Sequence, residues 1–527
     1  MRKSLAIMLA TFLAAAVMAG CSGNASNKAS GGSEAKTQTA SPEAGGTTGS
    51  VEVVDDGTEK LTLTFMPESW SGGKWREDHP TIKYLNEKFN VDLKIMWTDG
   101  PTYKDKLNVM AASGSLPDLY RVTSDNFGKW QDEEVFLDLA PYLDQYPNLA
   151  NAFPEEQWKM LSPQGKIYGI PLWEIENRDS YQVRADWIRN AGLPMPSEET
   201  FNVDEFYAIM KAFALDDPDK NGKKDTIGFA TDNTLGSNTA QLRAAFGLAN
   251  GWKLEDGQLL PQFVQSKEQK DFLSYLRKMY EEGIMDKDFL SRTGANTYEL
   301  FQAGKSGIWT HHPLGLRTDT EKLRGIDPSA ELIQLAPPIG PTGLRGNPTG
   351  LTGANKVVVN GTIDPKKQQR ILKILDWWVT DEGTDIMKSG IEGIHYTKEA
   401  DGTYKATDLV ETDLPRIMNN WFFKRADPNL GTFRWTEPEI ADFDNTFNAN
   451  NAKYPWKPES GGLEIYSETY NQKWNDLSTK FTEAQLKIVI GQEPVDSIDK
   501  AIEEWKAGGG DRIIQEMNDA YAKLQGK

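Results

Sequence analysis

The sequence predicts an α/β chain folded as two lobes joined by hinge strands, the second lobe rich in helix. Three observations predict it. Strands alternate with helices between residues 60 and 122, the signature of βαβ units and a largely parallel sheet. Strand character returns near 305, 331 and 355 after a long helical stretch, so the chain crosses between lobes more than once. Its 527 residues exceed what one compact core holds. Several crossovers make a hinged clamp with a ligand cleft between the lobes.

In chain order, KLTLTF (60–65) alternates apolar and polar residues as a half-buried strand does. A helix is expected near 80–89, then the strand VDLKIMW (91–97), helical spacing over 102–112 and the strand LPDLYRV (116–122). VFLDLAPYLDQYPNL (135–149) and GKIYGIPLW (165–173) complete the first segment, the latter as a hairpin leading out. Residues 184–193, Val203–Leu215, 267–283 and 297–304 read as helices. KSGIWTHHP (305–313) and ELIQLAPP (331–338) read as strands returning to the first lobe, and NKVVVN (355–360) is a strong β-branched strand. Helices dominate from 365 to the amphipathic stretch 513–524. The expected division is residues 59–175 with 305–362 for the first lobe, and 176–304 with 363–527 for the second.

Composition narrows the function classes. A net charge of -19 argues against nucleic acid, which needs clustered Lys and Arg to neutralise phosphates, and disfavours a polyanionic ligand. The 16 Trp supply flat apolar faces, each with one N–H donor, suited equally to cores and to sugar-binding surfaces. Arg2 and Lys3, an apolar run over 5–17 and Ala19-Gly20 form a signal peptide over 1–20. The sole Cys, Cys21, follows at once, so no internal disulfide can form. VMAGC resembles a bacterial lipobox, with Met18 where Leu is usual; the alternative is an ordinary signal peptide with an incidental Cys. Residues 21–58, Gly, Ser, Thr and Ala with little apolar bulk, form a flexible tether.

The sharpest motif is DPDKNGKKDTIG (217–228). Asp217, Asp219 and Asn221 stand at alternate positions, Gly222 supplies a sharp turn, Lys223 offers its carbonyl and Asp225 a late carboxylate, with Asp216 beside them. Short oxygen-bearing side chains at every second residue converge on one hard cation, as in a calcium loop. The three lysines would point outward. Gly228 occupies the twelfth position, where an EF-hand has a bidentate Glu, and IGFA beyond it reads as a strand. The alternative is an Asp/Asn/Gly turn bonded to its own backbone.

LPDLYRV, FLDLAPYLDQYPNL, KIYGIPLW, this loop, KSGIWTHHP and GIEGIHYT (390–397) together resemble the extracellular solute-binding lipoproteins of carbohydrate ABC importers, in particular the alginate-oligosaccharide-binding subgroup. The resemblance implies the two-lobe fold of periplasmic binding proteins and a saccharide held in the cleft. It implies calcium surrounded by Asp217, Asp219, Asn221, Lys223, Asp225 and Thr226, the last standing where Glu is expected. It also implies a monomer lipid-anchored through Cys21 on the outer face of the cell membrane, delivering its cargo to permease subunits without making or breaking a bond.

Cleft candidates, placed where strand ends meet the interlobe face, are Trp70, Asp118, Trp173 with Glu174, Trp309 with His311 and His312, Glu392 with His395, and the aromatics Trp421 and Trp435. Indoles suit the C–H faces of a sugar, and carboxylates and imidazoles suit its hydroxyls. On a strand His311 and His312 would point to opposite faces. The four His lack zinc spacing. A glycan-cleaving enzyme would need a carboxylate pair across the cleft, and no nucleophile elbow, zinc motif or phosphate loop is present; no catalytic role is expected. A peptide or other non-sugar solute is the remaining alternative.

Overall fold

Leu61, Leu63 and Phe65 are buried along strand β1 (Leu61–Met66) with Thr62 exposed between them, so the predicted alternation places one face of the strand on a core. The computed structural model describes residues 54–69, 73–133, 135–161, 165–173, 179–350, 355–427, 432–460, 465 and 467–524. Helix α1 (Pro80–Phe89) opens with His79 as N-cap and Pro at its first position, and leads to β2 (Val91–Ile95). Helix α2 (Gly100–Ala112) leads to β3 (Leu119–Thr123), and β4 (Ile170–Pro171) follows.

The next stretch holds β5 (Ser180–Arg184), α3 (Val203–Leu215), α4 (Ser266–Glu281), β6 (Ile308–His311), α5 (Pro313–Arg324) and β7 (Leu332–Leu335). Then come β8 (Asn355–Val359), α6 (Pro365–Trp378), α7 (Asp381–Ser389) and α8 (Pro438–Ala452), and the chain ends with α9 (Glu468–Val489), α10 (Ser497–Trp505) and α11 (Asp511–Leu524).

A five-stranded sheet runs β2-β1-β3-β8-β4. β1 is parallel to β2 and β3, and β8 is antiparallel to β3 and β4. The strand period of two divides it cleanly. Leu63, Phe65, Leu93, Leu119, Val357 and Val359 face the core shared with α1, α6 and α7. Met66, Tyr120, Val122 and Val358 face a second layer with Tyr103 and Leu107 of α2. β8 is buried on both faces from Lys356 onward, which is why Val357, Val358 and Val359 follow one another without a polar residue between them.

A three-stranded antiparallel sheet runs β6-β5-β7. Tyr181, Val183, Ile308 and Leu335 meet Phe206 and Phe213 of α3, Leu273 of α4 and the helices α9 to α11 in a separate core. From the strand register, Ser180, Gln182, Arg184, Trp309, His311 and Gln334 occupy the opposite face.

Two parts of the expected division fail. Segments 305–313 and 331–338, expected in the first lobe, supply β6 and β7 and pair with β5. β5 is buried along its whole length and needs both neighbours to satisfy its backbone groups. Of the later strands named above, only β8 returns to the first sheet. The helices after 363, expected in the second lobe, also divide. α6 follows β8 through a short turn and folds back on the sheet it has just left, so Ile371, Leu375, Trp378, Met387, Ile417 and Phe422 pack on the first core, while α9 to α11 pack on the second. The residues read as helical over 184–193 split into the end of β5 and a short helix, Ala185–Asn190.

The signal peptide, Cys21 and residues 21–53 of the tether lie outside the described residues. Among those described, no helix is long and apolar enough to cross a membrane.

Candidate functional site

Helix α3 has the bounds the sequence predicts. Asn202 caps it, accepting hydrogen bonds from the amides of Asp204 and Glu205. Just beyond its C-terminal end, Asp217 accepts from the amides of Asn221 (3.1 Å) and Gly222 (2.9 Å). The side-chain amide of Asn221 reaches Asp219 (2.7 Å) and Asp225 (3.1 Å). Gly222 holds φ +81, the turn only Gly adopts without strain. Lys220, Lys223 and Lys224 are exposed, as expected.

Burial, with Asp217 and Asp225 close by, pushes the Asp219 carboxyl up, while Lys305 (2.7 Å) holds that of Asp225 down. Crowded carboxylates around a short loop are the donor set a hard cation relieves, so these residues fit calcium. Thr226 departs from the expected ligand set. Its hydroxyl donates to the Phe213 carbonyl inside α3 (2.6 Å), turned away from the loop. No Glu could stand at the twelfth position, because a Cβ on residue 228 would lie 2.0 Å from the Met210 carbonyl oxygen. On either side of it the chain makes isolated bridges, at Ile227 and Phe229, where a strand was expected.

In an open α/β sheet, ligands gather at the carboxyl ends of the parallel strands. Asp118 precedes β3 and so sits at the opposite end. Its carboxylate accepts from the Thr64 amide (2.7 Å) and hydroxyl (3.0 Å), with Lys367 at 3.4 Å, tying strand to strand to helix. The carboxyl ends hold a feature the sequence reading misses. Arg121 ion-pairs with Glu68 (2.6 Å), both buried. The Tyr103 hydroxyl donates to the Met66 carbonyl (2.7 Å) and accepts from the Arg121 amide (3.0 Å). The available signal is an Arg inside the otherwise apolar strand LYRVT.

Trp70 and Glu174 lie outside the described residues. Trp421 ends the short helix Arg416–Trp421, and its side chain is also outside them. Trp173 and Trp435 are half-buried around the end of α7. The Trp173 indole donates to the Asp427 carbonyl (3.2 Å), and Asp427 ion-pairs with Lys388 of α7 (3.1 Å). The Trp435 indole donates to the Ser389 carbonyl (3.3 Å) and stacks on Phe433 at 4.7 Å.

His311 and His312 do not point to opposite faces. β6 stops at His311, His312 is the N-cap of α5, and their rings lie 4.3 Å apart. A Cβ at Gly315 would fall 1.8 Å from His311 Nδ1, so the ring rests on the helix start only because Gly stands there. His311 meets Asp319 (3.3 Å), which also accepts from Tyr298 (2.7 Å) and Gln302 (3.0 Å). Burial opposes ionisation of Asp319, but these hydrogen bonds outweigh it and hold its carboxyl below the usual range. Trp309 stacks on Tyr298 at 5.0 Å and packs in a small core with Phe301 and Phe447.

Glu392 is exposed, and His395 is fully buried. His395 Nδ1 accepts from the Ile391 amide (2.9 Å) and Nε2 meets Asp413 (3.1 Å). His79 Nδ1 accepts from the Thr81 amide (3.1 Å) and Nε2 meets the Asp413 carbonyl (3.1 Å). Arg76 completes the knot with Asp413 (2.6 Å). Ligand atoms of His79, His395 and Asp413 lie within 4.8 Å of one another, yet the arrangement does not suit a metal. Each Nδ1 is committed as acceptor, so each Nε2 carries the hydrogen and points it at Asp413.

A family model described as bacterial extracellular solute-binding protein matches residues 74–385. The chain is 27% identical over 483 residues to Lipoprotein LipO of Bacillus subtilis (strain 168), covering 88% of this chain and 92% of that protein. It is 28% identical over 480 residues to the polygalacturonan/rhamnogalacturonan-binding protein YtcQ of the same organism, covering 87% and 91%. Among solved structures, the alginate-binding protein AlgQ2 without calcium ion superposes with a TM-score of 0.64 at 23% identity, over 88% of this chain and 99% of that one. That likeness shows the two-lobe α/β fold.

Proposed function

Because the chain belongs to the bacterial extracellular solute-binding proteins, we propose that it captures a carbohydrate, an oligosaccharide in particular, between its lobes and hands it to the permease subunits of an ABC importer. The observation that carries this reading is similarity over most of both chains to a polygalacturonan/rhamnogalacturonan-binding protein. The half-buried indoles of Trp173 and Trp435 support it: their N–H groups are already satisfied, Phe433 covers one face of Trp435, and the part of each ring left exposed suits sugar C–H groups. The lobes are residues 59–173 with 355–427, and 179–350 with 432–524. The protein is a monomer, exported and held by a lipid on Cys21 at the outer face of the membrane. Calcium is held by Asp217, Asp219, Asn221 and Asp225 with the Lys223 carbonyl, and it braces the second lobe without touching cargo.

Titration of intrinsic fluorescence against neutral and uronic-acid oligosaccharides tests the reading. A saturable change with one saccharide class is expected. No response to any of them would overturn the carbohydrate assignment and leave the fold standing.

A further inference from the structure

The short helix Arg416–Trp421 begins beside two rings that follow the last crossing between lobes. Phe433 stacks on Trp435 at 4.7 Å, and the Arg416 guanidinium lies 5.9 Å over the Phe433 ring. Phe433 is thus the shared neighbour of a cation and an indole. By the division proposed above, Arg416 belongs to the first lobe and Phe433 to chain that has just crossed to the second, so this row stands where the two lobes join.

Arg416 alone among the described arginines has neither a hydrogen bond nor an ion pair. It is half-buried, and none of its three guanidinium nitrogens is closed off from solvent. The acids tied to this region are all engaged elsewhere. Asp413, three residues earlier, is held by Arg76 (2.6 Å) and His395 (3.1 Å). Asp385 takes two nitrogens of Arg434, at 3.0 and 2.6 Å, and Asp427 pairs with Lys388 (3.1 Å). In a chain of net charge -19, Arg416 is left an unmatched cation on an aromatic row. A guanidinium grips a carboxylate through two parallel hydrogen bonds, and a ring beneath it holds the side chain in place without using a donor.

We propose that Arg416 selects an acidic sugar. It takes the carboxylate of a uronic-acid unit through two of its open nitrogens, while a neighbouring unit of the same saccharide lies on the exposed part of the Trp435 ring. The inference rests on the carbohydrate reading above and narrows it to saccharides that carry a carboxylate. A neutral sugar can still cover the indole, but it leaves the guanidinium to water. The charge-assisted pair is then worth about ten- to hundredfold in affinity between an acidic saccharide and its neutral counterpart.

Calorimetric titration with short oligomers of galacturonate, glucuronate and mannuronate, each as the free acid and as its methyl ester, tests this. At least one free acid should bind, with its ester about tenfold weaker or more. Arg416→Gln should weaken the free acid by the same factor and leave the ester unchanged. Arg416→Lys, which keeps the charge and loses the two-bond grip, should fall between. Because Arg416 holds nothing else in place, both variants should melt at the temperature of the parent chain, and the ester titration shows independently that the site is intact. Equal loss for acid and ester in Arg416→Gln means a merely structural role and overturns the assignment. So does a free acid that Arg416→Gln binds as tightly as the parent chain, or a parent chain that prefers the esters; in all three cases the carbohydrate reading stands. A chain that takes none of these oligomers but binds a neutral oligosaccharide overturns the acidic-sugar inference alone, and one that takes no saccharide of either kind overturns both.

Discussion

Acid should loosen the knot around Asp413 through His79. This imidazole is 0% exposed, stacks on Trp75 at 4.0 Å and is held neutral by burial, its pKa lowered from 6.5 to about 4. Between those values the unfolded chain binds a proton that the folded chain refuses, so stability rises with pH and is lost as pH falls from 6.5 toward 4. At pH 4.5 the loss from His79 alone is about 2–3 kcal/mol relative to pH 7. Burial lowers the His395 value as well and adds in the same direction. Asp413 acts lower down. Its value is depressed by the hydrogen bond from Arg76, aided by His395, so its stabilisation is present above the unfolded value of 3.8 and lost only below it.

The perturbation that isolates His79 is His79→Asn. Asn keeps an N-cap acceptor for Thr81 but forfeits the Trp75 stack and the donor to Asp413, at a cost of about 1–2 kcal/mol at pH 7. Urea unfolding of both proteins at half-unit steps from pH 7 to 4.5 is the assay, with midpoints compared at constant slope. The two stability curves should converge as pH falls and cross before pH 4.5, because the variant has no imidazole there to protonate and the wild type's loss exceeds its initial advantage. Curves that run parallel across the window would refute the reasoning.

Four further outcomes follow from the geometry. Calcium should raise the melting temperature, and Asp217→Asn with Asp219→Asn should abolish that rise in a thermal-shift assay while leaving saccharide affinity unchanged. Gly228→Ala should destabilise by about 3 kcal/mol or more, read by urea unfolding, because the new methyl meets the α3 backbone. Asp118→Ala should lower stability by about 2–4 kcal/mol through the lost Thr64 and Lys367 contacts without altering ligand affinity in calorimetry. Trp173→Ala and Trp435→Ala should each weaken saccharide binding about tenfold, the loss of about 1.4 kcal/mol per indole face, measured by the same titration.

What could be read from the sequence follows from how far apart the determinants lie. β1, β8 and α3 announce themselves because alternation, a β-branched run and an Asn cap are local signals. The Asp217–Gly222 turn does too, since its hydrogen bonds span at most five residues. β5 does not. SYQVR carries two polar residues and an Arg, yet it is the central strand of its sheet, because its partners arrive only with Ile308 and Leu332. His395 sits in a phrase that looks like an exposed turn, and its role is set by Asp413 and by His79, itself 334 residues from Asp413.

These failures share one physical form. Arg121 in LYRVT, Arg184 in SYQVR and His395 in GIHYT each place an ionisable group among residues bound for a core. Such a group is tolerated only if a partner meets it there. In each case one does: Glu68 for Arg121, Asp186 and Asp327 for Arg184, Asp413 for His395. An isolated charge or imidazole within a short apolar phrase therefore indicates a buried partner elsewhere in the chain. Read that way, His395 belongs to the packing around Asp413 and not to the strand-end face on which it is grouped with Glu392, and Arg121 is held by Glu68 at the carboxyl ends of the parallel strands.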